Sequence, residues 1–564
     1  MLEDFLPEPR IAYFSMEIAL RAEIPSYSGG LGVLAGDTMR TAADLELPMV
    51  AVSLVSRRGY FRQAIDAQGR QVEHPDPWEP ERFATPLEAK VTVPCEGRRI
   101  WVGGWLYVLE AHPGGRQPVI LLDTDLEENS APDREITHHL YGGDDAYRLK
   151  QEIVLGIGGV RMLQALGFEV SHYHMNEGHS ALLTLELLRR KAYPADAVAP
   201  GEPQYDVPRV REACNFTTHT PVEAGHDKFS YGLVAGMLDG YFDVSILKAF
   251  AGQDRLNMTR LALSLSDYVN GVARRHAETS RRLFPGYRVR AITNGVHSLA
   301  WTSPGFVALY DKYLPGWCHE PELLVRADRV PDDAVWAAHV EAKNQLIALV
   351  KDRTGVSLRP DVPILGFARR MTGYKRPDLL FSDLQRLKAI AARLPFQIVL
   401  AGKAHPRDEG GKRLIETLHA RMRDLDGSIA TAYLQNYDMA LARTIVAGAD
   451  VWLNTPLRPL EASGTSGMKA AFNGVPSLSV LDGWWIEGCI EGVTGWAVGD
   501  AEISRNDDDA IALYHKLEEV VLPLYRRQPR SDWIAVMKGA ICKNASFFNS
   551  HRMMRRYVTE AYIR

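Results

Sequence analysis

The sequence predicts an α/β protein with two large, doubly wound domains and a cleft between them. Short apolar runs alternate with amphipathic stretches through most of the 564 residues. In the second half, residues 363–367, 378–393 and 397–401 read as strand, helix and strand, the unit that builds parallel sheets. The length allows about three to four ordinary domains, or two large α/β domains.

Elements of the first half are less regular. Buried strands are expected at 11–14 and 48–55, and a helix at 33–45. Residues 60–150 read as a β-rich excursion, with strands at 57–60 and 101–110. The Ala- and Pro-rich stretch 194–210 is predicted to be a surface loop.

The second half reads as one doubly wound domain from about residue 295. Short strands are expected at 451–454 and 476–481, on either side of a helix around Lys469. The last 25 residues are predicted to form an amphipathic helix that docks back on the N-terminal domain. We therefore divide the chain into an N-terminal domain (1–294), a C-terminal domain (295–540) and a closing helix (541–564).

Composition excludes several classes of protein. Apolar residues make up 46% and charged residues 24%, and the net charge of −5 comes without any long Lys/Arg run, which argues against a nucleic-acid partner. No run of 18 apolar residues predicts a membrane span, and the acidic N-terminus does not resemble a signal peptide. Five scattered cysteines without a C-x-x-C pair predict a reduced, cytoplasmic protein with no metal site.

The first motif is S-G-G-L-G at 28–32, which precedes the predicted helix 33–45. Glycines let a backbone turn tightly around an anion, and a following helix N-terminus favours negative charge. An oxyanion or phosphate cradle is one interpretation. A plain tight turn is the other, and the motif alone does not decide between them.

The second motif is R-R-M-T-G-Y-K-R at 369–376, directly after the predicted strand 363–367. Four cations at the carboxyl end of a buried strand predict an anion site. The alternative is a solvated basic turn, which is the usual fate of a charge run.

The third motif is E-A-S-G-T-S-G-M-K at 461–469, at the start of a helix. Small residues and hydroxyls at a helix start suit a phosphate. Lys469 would lie near the positive end of the helix dipole, where a lysine is unfavourable unless an anion or a cofactor carbonyl meets it. The alternative is a surface lysine whose stem packs on the protein.

A histidine cluster invites a metal interpretation that we reject. Its members are His172, His174, Asn176, Glu177 and His179. Their spacing matches no standard zinc set and lacks the H-E-x-x-H pattern. Asn176 and Glu177 are better interpreted as helix-capping or sugar-facing groups.

Taken in order, these motifs resemble those of the α-glucan phosphorylases, the glycogen, starch and maltodextrin phosphorylases. E-A-S-G-T-S-G-M-K is similar to the family's pyridoxal-phosphate attachment motif. Further counterparts run through nearly the whole chain: G-G-L-G at 29–32, N-E-G-H at 176–179, T-T-H-T-P at 217–221, V-N-G-V-A-x-x-H at 269–276, T-N-G-V at 293–296, R-R-M-T-G-Y-K-R at 369–376 and N-Y at 436–437.

The resemblance implies a GT-B fold, with two Rossmann-like domains around a central cleft, and a homodimer. It implies pyridoxal 5′-phosphate as a Schiff base on Lys469, with further cofactor contacts from Arg369, Gly464, Thr465, Tyr437 and Gly30. Arg370 and Lys375 would bind the substrate phosphate, and the backbone carbonyl of His219 would face C1 of the reacting sugar. Glucan contacts would come from Gly29, Gly30, Leu31, Asn294, Glu461, Ser463, Gly464, Asn176 and Glu177.

The implied reaction is reversible phosphorolysis of α-1,4-glucan by orthophosphate, releasing α-glucose 1-phosphate with retention. The cofactor's 5′-phosphate, with a second pKa near 6, would relay a proton at neutral pH. Arg369, Arg370 and Lys375 would offset the repulsion between the two phosphates.

Three positions depart from the family pattern. Thr372 replaces a common histidine, Asp438 replaces a common arginine, and Ser466-Gly467 replaces a Gly-Asn pair. The chain is also shorter than the animal and plant enzymes and lacks their N-terminal control segment. The resemblance therefore implies a constitutive enzyme of the compact bacterial and archaeal type, without allosteric control.

Two alternatives remain. A glycogen or starch synthase would transfer glucose from a sugar nucleotide on the same fold. Bacterial synthases carry K-x-G-G-L and E-x7-E, whereas here Tyr27 precedes S-G-G-L and Lys469 stands at the second glutamate position after Glu461. A non-catalytic glucan-binding protein with a decayed site is the second alternative, and the complete cation set argues against it.

Overall fold

The computed structural model describes residues 2–8, 10–111, 115–199, 202–500 and 506–563. Two large parallel sheets organise this part of the chain, one in each half.

The first half holds a mixed sheet and two separate antiparallel strand pairs. Its strands are β1 (Arg10–Ser15), β2 (Met49–Leu54), β3 (Arg62–Ile65), β4 (Gln71–His74), β5 (Thr85–Pro86), β6 (Val91–Cys95), β7 (Arg98–Glu110), β8 (Arg116–Asp123), β9 (Val170–Asn176), β10 (Cys214–Thr217), β11 (Lys228–Ser230), β12 (Arg255–Asn257), β13 (Tyr268–Gly271) and β14 (Arg290–Ala291). The sheet runs β14-β13-β10-β9-β1-β2-β8-β7-β5, with β6 on β7, while β3–β4 and β11–β12 pair apart from it. Pairs from β14 to β8 are parallel, and β7 pairs antiparallel with its neighbours.

The second half holds an all-parallel sheet. Its strands are β15 (Ile364–Ala368), β16 (Gln397–Ala401), β17 (Thr431–Leu434), β18 (Val451–Asn454), β19 (Ser477–Val480) and β20 (Gly495–Val498). Their order is β17-β16-β15-β18-β19-β20. β15 and β16 are buried at every residue, as expected of strands covered by helices on both faces.

Helices connect and cover the strands. They are α1 (Gly30–Asp44), α2 (Ala131–Arg134), α3 (Asp145–Ile153), α4 (Gly159–Ala165), α5 (Leu183–Arg190), α6 (Val207–Ala213), α7 (Tyr231–Met237), α8 (Val244–Ala251), α9 (Met258–Ser264), α10 (Arg274–Leu283), α11 (Ser298–Trp301), α12 (Pro304–Tyr313), α13 (Asp332–Thr354), α14 (Leu384–Arg393), α15 (Glu409–Asp424), α16 (Met439–Gly448), α17 (Ser466–Ala471), α18 (Trp485–Gly488), α19 (Asn506–Lys516), α20 (Leu522–Arg526), α21 (Ser531–Gly539) and α22 (Ser550–Tyr557). π-helical turns at Val154–Gly158, Leu517–Val521, Ala540–Ala545 and Val558–Tyr562 extend several of them.

Strand order fixes where a ligand can bind. Numbered along the chain, the parallel strands of the second sheet follow the order 3-2-1-4-5-6, and those of the first sheet follow it with one further strand at the end. In such sheets the order reverses between strands 1 and 4, which opens a crevice at their carboxyl ends. The crevices therefore lie between β1 and β9 in the first sheet and between β15 and β18 in the second.

Most predicted strands are confirmed, including those at 11–14, 48–55, 101–110, 363–367, 397–401, 451–454 and 476–481. The strand predicted at 57–60 is wrong. Ser56 and Gly59 have φ of 46° and 61°, so the backbone turns here, and a Cβ on Gly59 would lie 2.6 Å from the carbonyl oxygen of Asp76.

Two further elements differ from expectation. Helix α6 begins inside the predicted loop 194–210, because the Asp206 carboxylate accepts a hydrogen bond from the Arg209 amide and caps it; residues 200 and 201 lie outside the described part. The predicted helix 378–393 begins as a 3₁₀ turn at Leu379–Phe381, and α14 starts only after its cap Asp383.

The closing helix α22 begins at Ser550, capped by the Asn549 side chain. It contacts α1, where the hydroxyl oxygens of Thr41 and Ser550 lie 2.5 Å apart. Met553, Met554 and Tyr557 join a buried cluster with residues of β1.

Among the described residues, no helix is long and apolar enough to cross a membrane. The five cysteines are all unpaired thiols.

Candidate active site

A cavity of about 650 Å³ opens at the crevices of both sheets. It is lined by residues that follow β1, β9 and β10 of the first sheet and β15 to β18 of the second. Every residue predicted for the site lines it except Asn176. Segments separated by more than four hundred positions in the chain therefore meet in one chamber, where the strand order predicts ligand binding.

Lys469 lies on α17, which follows β18 across the loop 455–465. Its residue is 7% exposed, and its Nζ lies 3.8 Å from the ring centroid of Trp301. Burial lowers the pKa of Lys469 to about 8, although Asp37 partly opposes this. Among the described residues no side chain or carbonyl accepts a hydrogen bond from the amine. A lysine so placed is readily deprotonated and available to a carbonyl compound.

Trp301 and Asp37 support this lysine, and sequence reasoning missed both. The buried Asp37 carboxylate on α1 accepts hydrogen bonds from the Trp301 indole (2.8 Å) and the His297 amide (3.2 Å). Asn473 ties α17 to the same place, because its side-chain amide donates to the carbonyls of Trp301 and Lys469. A carboxylate on the otherwise buried face of the predicted helix 33–45 was the one available signal.

Two cations of the second motif converge on Glu461. Lys375 Nζ lies 2.6 and 2.5 Å from the Glu461 carboxylate oxygens, and Arg369 Nη2 lies 2.9 Å from one of them. Burial alone would raise the pKa of Glu461, but the two cations hold it below its usual value. Arg369 Nε and Nη1 are buried and have no hydrogen-bond acceptor in the described structure. These donors are free for an anion.

Arg370 is exposed within the cavity and forms no ion pair with the described residues. A Cβ added to Gly29 would lie 3.3 Å from Arg370 Nη2, so the glycine turn of the first sheet approaches this guanidinium closely. The motif contributes three cations and not four. Arg376 is buried elsewhere, donating to the carbonyls of Thr455 and Pro456 and pairing with Asp509.

The glycine turn is braced from behind by Glu17. This carboxylate accepts hydrogen bonds from the amides of Ser28 (2.6 Å) and Gly29 (3.2 Å) and from the Tyr141 hydroxyl (2.8 Å). Helix α1 then begins at Gly30, facing the cavity. Its first-turn amides, as at any helix start, are left for a ligand or water.

His219 follows β10, and its ring is held by a relay of hydrogen bonds. The Asn176 amide nitrogen donates to Ser15 Oγ (3.0 Å), which leaves Asn176 Oδ1 to accept from His219 Nε2 (2.6 Å). Burial lowers the pKa of His219 to about 3, so the ring is neutral with its proton on Nε2. Asn176 therefore lies behind His219 and does not line the cavity.

Glu177 holds the backbone beside His219. Its carboxylate accepts hydrogen bonds from the His219 amide (2.7 Å), the Thr220 hydroxyl (2.9 Å) and the Gly178 amide (3.2 Å). Burial raises the pKa of Glu177 to about 7, against the lowering effect of these donors. Its φ of 73° is unusual for a glutamate, and such strain is often stored at functional sites.

Two of the three departures from the family pattern have a local reason. Asp438 caps α16 by accepting a hydrogen bond from the Leu441 amide at 2.8 Å. Ser466 accepts one from the Trp452 indole at 3.0 Å, and a Cβ on Gly467 would lie 2.6 Å from Trp484. Nothing in the structure explains Thr372.

The histidine cluster does not converge on one point. His174 is bound between Tyr562 (2.5 Å) and Thr217 (2.9 Å) within the fold, while His179 faces the cavity near Asp227. Within the described ranges, no group of three or more His, Cys, Asp or Glu side chains is arranged to hold a metal ion.

Comparison with known proteins agrees with this geometry. Residues 234–494 match the model of the carbohydrate phosphorylase family. The chain is 39% identical to the maltodextrin phosphorylase of Thermococcus litoralis, over 98% of this chain and 70% of that protein. It is 36% identical to the glycogen phosphorylases of Aquifex aeolicus (99% and 87%) and Mycobacterium tuberculosis (98% and 70%). With identities of this size over nearly its whole length, the chain belongs to the carbohydrate phosphorylase family.

Proposed function

We propose that this protein catalyses the reversible phosphorolysis of α-1,4-glucan by orthophosphate, releasing α-glucose 1-phosphate with retained configuration. The observation that carries the proposal is one chamber holding a buried lysine of lowered pKa beside three cations, at the crevices of both sheets. The relatives named maltodextrin and glycogen phosphorylase support the choice of substrate class.

The residues present fit pyridoxal 5′-phosphate. Lys469 offers a buried amine without a hydrogen-bond acceptor, and the indole of Trp301 provides an apolar wall. Arg369, with two buried unpaired donors, and the loop at Gly464 and Thr465 would hold the phosphate group, and Tyr437 would contact the cofactor from the cavity wall. When bound, the cofactor supplies a phosphate that can give and take a proton near neutral pH.

The substrate phosphate would bind Arg370 and Lys375. Arg370 projects into the cavity with no competing carboxylate, so it is ready for an anion. Lys375 is held against Glu461, which accounts for its charge until a sugar hydroxyl and a phosphate enter. Both cations would stabilise the charge that develops on the phosphate oxygens.

The sugar would lie between His219 and the loop at Glu461. The buried Asn294 Oδ1 and Ser463 Oγ have no hydrogen-bond partner in the described structure, which leaves them for sugar hydroxyls. Glu177 and Asn176 hold His219 from two sides, so that its carbonyl can stabilise positive charge developing at C1. Gly29, Gly30 and Leu31 would complete this wall from the glycine turn.

We further propose that the two sheets mark the two domains of a GT-B fold, divided near residue 294, with the segment 541–564 docked on the first. The contacts of α22 with α1 support this arrangement. Unpaired cysteines suit a reducing, cytoplasmic compartment. A homodimer without allosteric control is proposed from the family resemblance.

Incubation of the purified protein with maltodextrin and orthophosphate tests the function. We expect α-glucose 1-phosphate from the wild-type protein and none from Lys469→Ala. Arg370→Ala should raise the KM for phosphate about tenfold or more and lower kcat, because a charge-assisted contact is lost. Thr372→Ala, in the same loop, is the matched control. Glucosyl transfer from a sugar nucleotide without phosphate would instead support a synthase.

A further inference from the structure

The β3–β4 hairpin of the first half reaches across to the second half. Its residues contact two loops, 402–404 after β16 and 435–436 after β17. We call this contact the hairpin seam, comprising Gln63 and Gln71 of the hairpin and the segments 402–404 and 435–436.

Gln71 binds the first loop through its backbone. Its Nε2 donates to the carbonyl of Ala404 (2.9 Å), and its Oε1 accepts from the amide of Ala404 (2.9 Å). The same side chain donates to Glu73 (2.8 Å) and accepts from Gln63 (2.9 Å). Every hydrogen-bonding position of this amide is therefore used.

Gln63 binds both loops at once. Its Nε2 donates to the carbonyl of Gly402 (2.8 Å), and its Oε1 accepts from the amide of Asn436 (2.9 Å). Its own backbone amide donates to Asn436 Oδ1 (3.1 Å). Two residues along the hairpin, the Ile65 amide donates to Gln435 Oε1 (3.0 Å).

The seam is buried and polar. Gln63 and Gln71 are 3% and 7% exposed. At its edges Lys403 Nζ donates to the carbonyl of Phe61 (2.9 Å), and Lys412 pairs with Glu73 (3.1 Å). A buried network with its groups paired specifies one arrangement, because any displacement leaves a donor or acceptor unsatisfied.

The loops that the hairpin holds also carry residues of the cavity. Beyond β15 and β16, the Arg369 amide donates to the carbonyl of Ala401 (3.1 Å), and the Met371 amide donates to that of Lys403 (2.9 Å). Arg370 lies between these two bonds, so its backbone is tied to the segment that the seam grips.

The second loop leads directly to the cofactor wall. Asn436 has a φ of 58°, and the chain continues into Tyr437, which lines the cavity. The Tyr433 hydroxyl donates to the carbonyl of Gly402 (2.7 Å), which joins the two loops to each other.

We propose that Gln63 and Gln71 are positioning residues that set Arg370 and Tyr437 of the second half at their working distance from His219 and the glycine turn of the first. The inference rests on the proposed function. Neither glutamine lines the cavity, so each acts only through the loops it holds.

The test uses the full-length holoenzyme with Gln63→Met and Gln71→Met, which keep side-chain length and remove the amide bonds. Gln68→Met, on the exposed turn of the same hairpin, is the matched control. We expect kcat/KM for orthophosphate to fall about fivefold or more in either seam variant, with the KM for maltodextrin within about twofold of wild type. The control should match wild type in both constants.

Hydrogen exchange gives a readout independent of turnover. Peptides containing Ala404 and Asn436 should be protected in the wild-type protein and exchange faster in the seam variants. Unprotected wild-type peptides would overturn the proposal even if neither variant folds. Equal losses toward phosphate and glucan, or a phosphate kcat/KM that falls less than about fivefold, would overturn it as well.

The two proposals fail in different ways. If the phosphorolysis proposal is wrong, the wild-type protein makes no glucose 1-phosphate although its seam is protected. If the positioning proposal is wrong, the wild-type protein is active and the seam variants keep their activity toward phosphate.

Discussion

Lys469→Met should stabilise the cofactor-free protein at neutral pH. The substitution replaces a buried amine by a side chain of similar length that can pack on the face of Trp301. An ordinary lysine pKa is about 10.4, and that of Lys469 is lowered to about 8. At about 1.4 kcal/mol per unit, burying the charged amine costs the native state about 3 kcal/mol at pH 7.

The sign follows from proton binding. Between about pH 8 and 10 the unfolded chain holds a proton on Lys469 that the native protein has released, so stability rises with pH across this window. The penalty is fully present below pH 8 and vanishes above about pH 10. We therefore expect the Tm of cofactor-free Lys469→Met to exceed that of the cofactor-free wild type by several degrees at pH 7. The difference should disappear near pH 10.

Lys343 provides the matched control. It is equally buried, but its Nζ lies 2.8 Å from Asp450 and donates to the Tyr525 hydroxyl and the Val362 carbonyl. Lys343→Met should destabilise the protein by about 3–5 kcal/mol, because it strands a buried carboxylate. Calorimetry of both variants measures the contrast. A Lys469→Met variant that is less stable than wild type at pH 7, or equally stable at every pH, would refute the reasoning.

Three further variants probe the site's supports. Asp438→Ala should cost about 1 kcal/mol in urea unfolding, because α16 loses its cap, and an unchanged midpoint would contradict that role. Gly467→Asn should cost about 1–3 kcal/mol and weaken cofactor retention, measured by absorbance after gel filtration, since its Cβ would meet Trp484; full retention would show that the indole can move. Asp37→Asn removes the charge that raises the pKa of Lys469, so borohydride trapping of the cofactor should reach half-maximum below pH 8; an upward shift would be inconsistent with that charge.

Local patterns predicted much of the fold. Continuous apolar runs marked strands such as β2, β16 and β18, because strands buried on both faces have no polar positions. The prediction at 57–60 failed because positive φ at Ser56 and Gly59 turns the backbone, and hydrophobicity does not report backbone angles.

The site was predictable where one segment carried the chemistry. Lys469, Arg369 and Arg370 each stand directly after a strand in a distinctive motif. Trp301 and Asp37 were missed because their hydrogen bond joins residues 264 positions apart in the chain. Gln63 and Gln71 gave no signal for the same reason, since their partners lie on loops more than three hundred positions away.

The most direct test of the central claim is a ³¹P NMR time course of the cofactor-saturated protein with maltodextrin and orthophosphate. We predict that the orthophosphate signal declines while that of α-glucose 1-phosphate grows in equal amount, and that Lys469→Ala shows neither change. A wild-type protein that binds the glucan yet leaves orthophosphate unchanged would contradict the account.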